Sequence, residues 1–95
     1  MKPEKAVFPR KRIKDVKVLY TDKTDNFSIA SVFWDGNKRI AIRWNGSGDS
    51  LGYPQSRGKA TWFILPQKVA LAFALSIGNA EMEQVIKAST STPLM

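Results

Sequence analysis

Two runs of strand-forming residues around a glycine turn constrain this chain more than any other feature. Phe27–Trp34 (FSIASVFW) and Lys38–Trp44 (KRIAIRW) flank Asp35-Gly36-Asn37. Asp-Gly and Gly-Asn both supply the positive φ that tight hairpin turns need, so either pair can stand at the centre of the turn. Both choices give the same two faces, because moving a two-residue turn by one position shifts the strand pairing by two.

The two faces of this hairpin differ in character, since successive side chains of a strand alternate between faces. The first face, which we expect to form the core, carries Phe27, Ile29, Ser31, Phe33, Ile40, Ile42 and Trp44. The opposite face, which we expect to meet solvent, mixes small side chains with one indole and two guanidinium groups: Ser28, Ala30, Val32, Trp34, Arg39, Ala41 and Arg43. We expect Trp44 and Trp62 to be core residues.

The remaining elements follow from local patterns. Val16–Thr21 alternates briefly and predicts a first strand, while Ala60–Leu65 predicts a further strand that is apolar on both sides. Between the hairpin and that strand, Asn45–Lys59 holds four of the six glycines and predicts a long loop. A helix is expected over Gln67–Ile77 and a short second helix over Ala80–Ala88. The predicted fold is α+β: a four-stranded antiparallel sheet, then a C-terminal helix (ββββα), with the short second helix after it.

The helix Gln67–Ile77 is apolar nearly all round. A helix without a polar face is buried on several sides, and a chain of 95 residues has little material to surround one. We therefore expect a homodimer that forms through this helix. The alternative is a single well-covered core helix.

Basic residues outnumber acidic ones by fifteen to eight, which gives a net charge of +7 and favours polyanionic partners, chiefly nucleic acid. Six of the fifteen lie in residues 1–15: Lys2, Lys5, Arg10, Lys11, Arg12 and Lys14. This segment has two prolines and no helical or strand period, so we expect a flexible basic arm followed by one domain over 16–95. The arm either grips phosphates or serves only solubility.

The sequence contains few residues and motifs that could support catalysis. The chain has no cysteine and no histidine, and no sequence motif for a phosphate loop, a metal site or a nucleophile. We expect no enzyme, no metal and no cofactor; a histidine-free ribonuclease-type toxin using Arg43, Tyr53 and Arg57 is the remaining catalytic interpretation. No run reaches the roughly 20 apolar residues of a spanning helix, and we expect a cytoplasmic protein of a bacterium or one of its mobile elements.

The sequence is better suited to nucleic-acid binding. Proteins bind single strands through aromatic rings, on which the bases stack, and through nearby cations, which neutralise the phosphates. On the hairpin, Trp34, Arg39 and Arg43 share one face and Lys38 lies at the tip. The predicted binding residues are Trp34, Lys38, Arg39, Arg43, Tyr53, Arg57, Lys59, Arg10, Lys11 and Arg12. The rival interpretations are an adaptor or inhibitor that recognises an acidic protein partner, and a protein that binds duplex DNA.

The order of these motifs resembles the PC4-like single-stranded DNA-binding family, which includes the transcriptional coactivator PC4 and similar bacterial proteins. The resemblance rests on RIAIRW (39–44), SRGKATWFILP (56–66) and the helix that opens at QKVALAFAL. It implies a four-stranded curved sheet, a dimer through the helix and single strands bound across the sheet. It also implies that Arg39 and Arg43 line the binding face, that Trp34 stacks on bases, and that Arg57 and Lys59 hold phosphate.

Overall fold

A four-stranded antiparallel sheet, a two-stranded ribbon, a 3-10 helix and one α-helix form the fold in a computed structural model, which describes residues 2–78. The elements are a 3-10 helix (Pro3–Lys5), β1 (Ile13–Asp22), β2 (Phe27–Trp34), β3 (Asn37–Trp44), β4 (Gln55–Ser56), β5 (Lys59–Ala60), β6 (Phe63–Ile64) and α1 (Gln67–Ile77). The main sheet has the order β1-β2-β3-β6, and β4 pairs with β5 in a separate ribbon. The predicted α+β fold is confirmed; the second helix expected over 80–88 lies outside the described residues.

The β2–β3 hairpin has the predicted faces. Trp34 lies opposite Asn37, so Asp35 and Gly36 are the two central turn residues. Their φ values are 51° and 83°, and two positive φ values in succession are what a type I′ turn requires. The register places Ile29 opposite Ile42, so the apolar side chains of both strands share one face.

Both faces of the sheet are covered, which differs from the expectation that one would meet solvent. On the helix side, α1 completes a buried cluster of Ile29, Ile40, Leu65, Ala70 and Ala74. On the opposite side, which we call the loop side, a second cluster contains Ala6, Ile13, Ala30, Val32, Ala41, Ala60 and Trp62. The small side chains of Ala30 and Ala41 leave space on the loop side, and the large ring of Trp62 packs into this cluster.

The N-terminal segment is part of this loop side rather than an arm without fixed contacts. Ala6 is fully buried, and its carbonyl oxygen accepts a hydrogen bond of 2.7 Å from the Trp62 indole Nε1. The Arg12 carbonyl accepts a backbone bond of 2.8 Å from Asp35. The segment is thus held at both ends, and β1 begins at Ile13, three residues before the predicted strand.

The two tryptophans that were predicted to be core residues differ in their exposure. Trp62 is 4% exposed, as predicted, but Trp44 is 54% exposed and that prediction is wrong. Trp44 is the last residue of β3, and α1 packs over Ile29 and Ile40 instead. Trp44 is left with a T-shaped contact to Phe27, with ring centroids 6.0 Å apart.

The helix has the predicted bounds, and Gly78 ends it. Gly78 has φ 72°, and its N–H bonds the Ala74 carbonyl oxygen at 2.9 Å. Ala70 and Ala74 are buried, whereas Leu71 and Leu75 are exposed. Among residues 2–78, the helix is thus covered along one side only. Over residues 2–78, no helix has the length and apolar character needed to cross a membrane.

Candidate nucleic-acid interface

A cleft of about 760 Å³ opens on the loop side, between the N-terminal segment and β5. We call it the basic cleft. Its lining residues are Lys5, Val7, Phe8, Pro9, Arg10, Lys11, Arg12, Leu51, Gly58, Lys59 and Ala60. Three separate parts of the sequence meet here, because the segment at 5–12 packs over the sheet beside the loop and the β4–β5 ribbon.

The lining of the cleft carries five cations and no acidic residue. The structure brings together four of the predicted binding residues, Arg10, Lys11, Arg12 and Lys59, and adds Lys5 to them. All five are exposed. Like charges collected at one concave surface raise the local concentration of a polyanion, so this cleft is the part of the described chain best suited to bind one.

The floor of the cleft is apolar. Val7, Phe8, Pro9 and Leu51 are half-buried and Ala60 is buried, whereas the cations of the rim are exposed. Sequence reasoning did not select Lys5, Phe8 or Leu51 as site residues. The signal in the sequence was the apolar run AVFP inside an otherwise basic segment. Apolar side chains gain free energy when they are removed from water, so such a run is expected to pack against the protein.

Arg12 is tied to the hairpin turn. Its Nε and Nη2 donate to the two carboxylate oxygens of Asp35 at 2.9 and 2.6 Å, a bidentate ion pair. The hydrogen bond from Arg12 lowers the pKa of Asp35, and the same bond raises the pKa of Arg12. Lys5, Arg10, Lys11 and Lys59 have no ion-pair partner among the residues that the structure describes, so these four cations are available to a ligand.

The same guanidinium covers Trp34. The Arg12 Cζ atom lies 4.5 Å from the centre of the Trp34 ring, within the range of a cation–π contact. The Trp34 side chain is half-buried. The expectation that Trp34 offers an open plane for bases is therefore not what the structure shows, because Arg12 already stacks on it.

Arg43 is an interior residue rather than part of an open face. It is 1% exposed, and its two terminal nitrogens donate to the carbonyl oxygens of Thr61 and Leu51. Its guanidinium lies 6.0 Å from the centre of the Trp62 ring. Burial lowers the pKa of Arg43. Leu51 lines the cleft and Thr61 follows a lining residue. Arg43 therefore positions one wall of the cleft from the protein interior.

The other predicted residues lie outside the cleft. Arg39 is half-buried on the loop side, and Lys38 is exposed with its Nζ 5.9 Å from the centre of the Phe33 ring. Tyr53 is 66% exposed, and Arg57 is exposed at the turn between β4 and β5. The predicted residues thus divide into one group that the fold brings together and another that it separates.

The ribonuclease interpretation depends on an accessible Arg43 beside Tyr53 and Arg57. Arg43 is buried, whereas the other two side chains are exposed. Over residues 2–78, no group of three or more acidic side chains is arranged to hold a metal ion.

Comparison with known proteins gave no match: no protein-family model, no curated protein and no solved structure matches this chain.

The Arg12–Asp35 pair should make stability depend on pH in acid. Because the folded pKa of Asp35 is lowered from its ordinary value of 3.8, the pair stabilises the fold above about pH 4. This contribution is lost as pH falls through the folded pKa. Asp35→Asn should therefore lower the urea midpoint at pH 7, and the difference from the native protein should shrink at pH 2.5.

Asp49→Asn is the control for this experiment, since Asp49 is exposed and has no ion-pair partner among the described residues. It should leave the midpoint unchanged at both pH values. A difference between Asp35→Asn and the native protein that is the same at pH 7 and pH 2.5 would contradict the assignment.

Arg43→Lys should destabilise the protein although it keeps the charge. A lysine has one nitrogen and cannot replace the guanidinium fork that reaches two carbonyls, so a buried acceptor is left without a partner. We expect a loss of about 2–3 kcal/mol in the free energy of unfolding, measured by urea denaturation. Arg39→Lys, on the same strand and face, should change it by less than about 0.5 kcal/mol. Equal losses for the two variants would refute the structural role of Arg43.

Proposed function

We propose that this protein binds single-stranded nucleic acid, DNA or RNA, in the basic cleft and with little sequence preference. One observation carries the proposal: five cations and no acidic residue line a single cleft whose floor is apolar. Lysine and arginine side chains neutralise phosphates, and phosphate contacts are independent of base sequence.

The net charge of +7 supports the same partner. A surplus of this size attracts polyanions over a distance of about 8–10 Å at physiological salt. Lys5, Arg10, Lys11 and Lys59 have no acidic partner among the described residues, so a phosphate backbone would not have to break an ion pair to reach them.

We place binding in the cleft rather than across the sheet because the loop side of the sheet, which carries the predicted binding residues, is covered. Arg43 is buried and Trp34 is covered by Arg12. The resemblance to the PC4-like family remains a prediction. The route that we propose for the strand differs from the one that the resemblance implies.

Fluorescence anisotropy with a single-stranded oligonucleotide over a salt series tests the proposal. Four unpaired cations predict that log K falls with log salt with a slope of about −3, since each phosphate contact on a single strand contributes about −0.7. Replacing Lys11 and Lys59 with Gln together should reduce the slope to about −1.4.

The matched control removes the same charge elsewhere. Lys23 and Lys68 are exposed and do not line the cleft, so their joint replacement with Gln should leave the slope near −3. No binding in low salt would exclude the function. Equal effects of the two double variants would exclude the cleft as its site. Stronger binding of duplex than of single strand, or of an acidic protein than of either, would favour the rival interpretations.

We also propose that two copies associate through α1. Six large apolar side chains are exposed, on the helix side of the sheet, at its edge or on α1: Trp44, Tyr53, Phe63, Val69, Leu71 and Leu75. The three aromatic ones expose on the order of 300–400 Å² together. This is about half of the roughly 800 Å² that each partner buries in a standard interface, and the helix side chains add to it.

Leu75→Glu tests this association, because Leu75 is 64% exposed and should be buried between copies. Light scattering after gel filtration should give twice the chain mass for the native protein and the chain mass for the variant. Ser76→Glu, at the next exposed position of the same helix, is the control for added charge and should remain dimeric. A native protein that is monomeric at micromolar concentration would contradict the proposal.

A further inference from the structure

We infer that the apolar floor of the basic cleft receives an unpaired base, while the cations of the rim hold the phosphates on either side of it. The inference rests on the proposed function and names its ligand more closely: an unstacked nucleotide within a single strand. Phe8 is the residue that we assign to base contact.

The arrangement of the segment supports this assignment. Phe8 and Pro9 are half-buried and line the cleft, and the cations Arg10 and Lys11 follow them directly. Two residues of extended chain span at most about 7 Å, so the Cα atoms of Phe8 and Arg10 are near each other, and both residues line the same cleft. A nucleotide likewise joins a flat ring to a nearby phosphate. One short piece of chain thus offers both kinds of contact that a nucleotide needs.

The opposite wall provides the second half of such a site. Leu51 is half-buried and Lys59 is exposed at the rim, so this wall repeats the combination of apolar floor and cationic rim. The volume of about 760 Å³ lies within the range of about 300–1,000 Å³ that is usual for pockets that hold small ligands. A base therefore has room between the two walls.

This geometry selects single strands. In a duplex the bases are paired and stacked inside, and only an extruded base could reach the floor. In a single strand each base has a free face that can stack on an aromatic ring, whichever base it is. Phosphate contacts at the rim alone would bind single strands and duplexes alike. The apolar floor is therefore the part of the cleft that discriminates between the two.

An acidic peptide would satisfy the rim but gains less from the floor. Its carboxylates could pair with Lys5, Lys11 and Lys59, yet acidic side chains carry no flat apolar ring to cover Phe8. Charge complementarity and an aromatic floor together favour a nucleotide.

The experiment compares two oligonucleotides of the same length: one normal single strand, and one in which every base is missing but every phosphate is kept. Phe8→Leu retains apolar volume and loses the ring. It should weaken binding of the normal strand about 5-fold or more, since one stacked base contributes roughly 5- to 150-fold, and it should leave binding of the abasic strand unchanged. The Lys11 and Lys59 double variant should weaken both.

Phe33→Leu is the matched control, because Phe33 is an aromatic residue that is half-buried like Phe8, lies outside the cleft and does not belong to the proposed association surface. It should not change the affinity for either strand. Urea midpoints of both leucine variants establish that they fold. A photocrosslink from native protein to a strand that contains bromouracil gives a measurement without any variant, and it should map to the peptide that contains Phe8.

The outcomes separate this inference from the proposed function. Equal losses of the two strands in Phe8→Leu, or no loss of either, would overturn the base pocket while the salt slope still reports phosphate binding. A crosslink at Trp44 or Phe63 would overturn it as well, as would polyglutamate that competes as well as the normal strand. If neither strand binds in low salt, the proposed function itself fails.

Discussion

The buried guanidinium of Arg43 holds together the loop side of this protein. It joins β3 to the carbonyl oxygens of Leu51 and Thr61, which belong to segments that no regular strand pairing fixes at those points. A buried cation is costly unless hydrogen bonds compensate it. The two carbonyls and the ring of Trp62 provide part of that compensation, whereas the Arg43 Nε atom is buried without a hydrogen-bond partner among the described residues. The planar fork of arginine can reach two acceptors at once. The wall of the basic cleft therefore depends on a residue that the cleft does not contain.

Trp62 extends this arrangement to the N-terminus. Its ring lies near Arg43 on one side, and its indole nitrogen donates to the carbonyl oxygen of Ala6. The chain thus links the guanidinium, the indole and the N-terminal backbone in series. Because Ala6 and Ile13 are buried at the two ends of the segment, the residues between them are held over the sheet. This is how a charged segment with little regular structure becomes one wall of a site.

Local patterns in the sequence were sufficient for the hairpin and the helix, but they missed the β4–β5 ribbon, so the predicted strand Ala60–Leu65 is divided between β5 and β6. They were also insufficient for the exposure of the elements. The turn at Asp35-Gly36 and the alternation along β2 and β3 fixed both faces correctly, since these depend on neighbouring residues alone. Whether a face is open depends on what covers it, and residues 56 positions apart, Ala6 and Trp62, decide that on the loop side. Arg43 was for this reason expected in solvent and Trp44 in the core, and the structure reverses both. Four of the cleft cations were predicted because charge clusters are visible in a sequence, whereas the role of Phe8 depends on its distant partners.

The two sides of the sheet offer different chemistry to a partner. The loop side carries the cationic cleft, while exposed apolar side chains such as Trp44 and Leu75 belong to the helix side. An apolar interface that used the cleft side would have to bury unpaired lysines, which is costly. Association through the helix side avoids that cost and leaves a cleft accessible on each copy. Two clefts in one assembly would bind one strand more tightly than either alone, because the second contact becomes intramolecular. The separation of charge from apolar surface is thus the feature that makes the two proposals compatible.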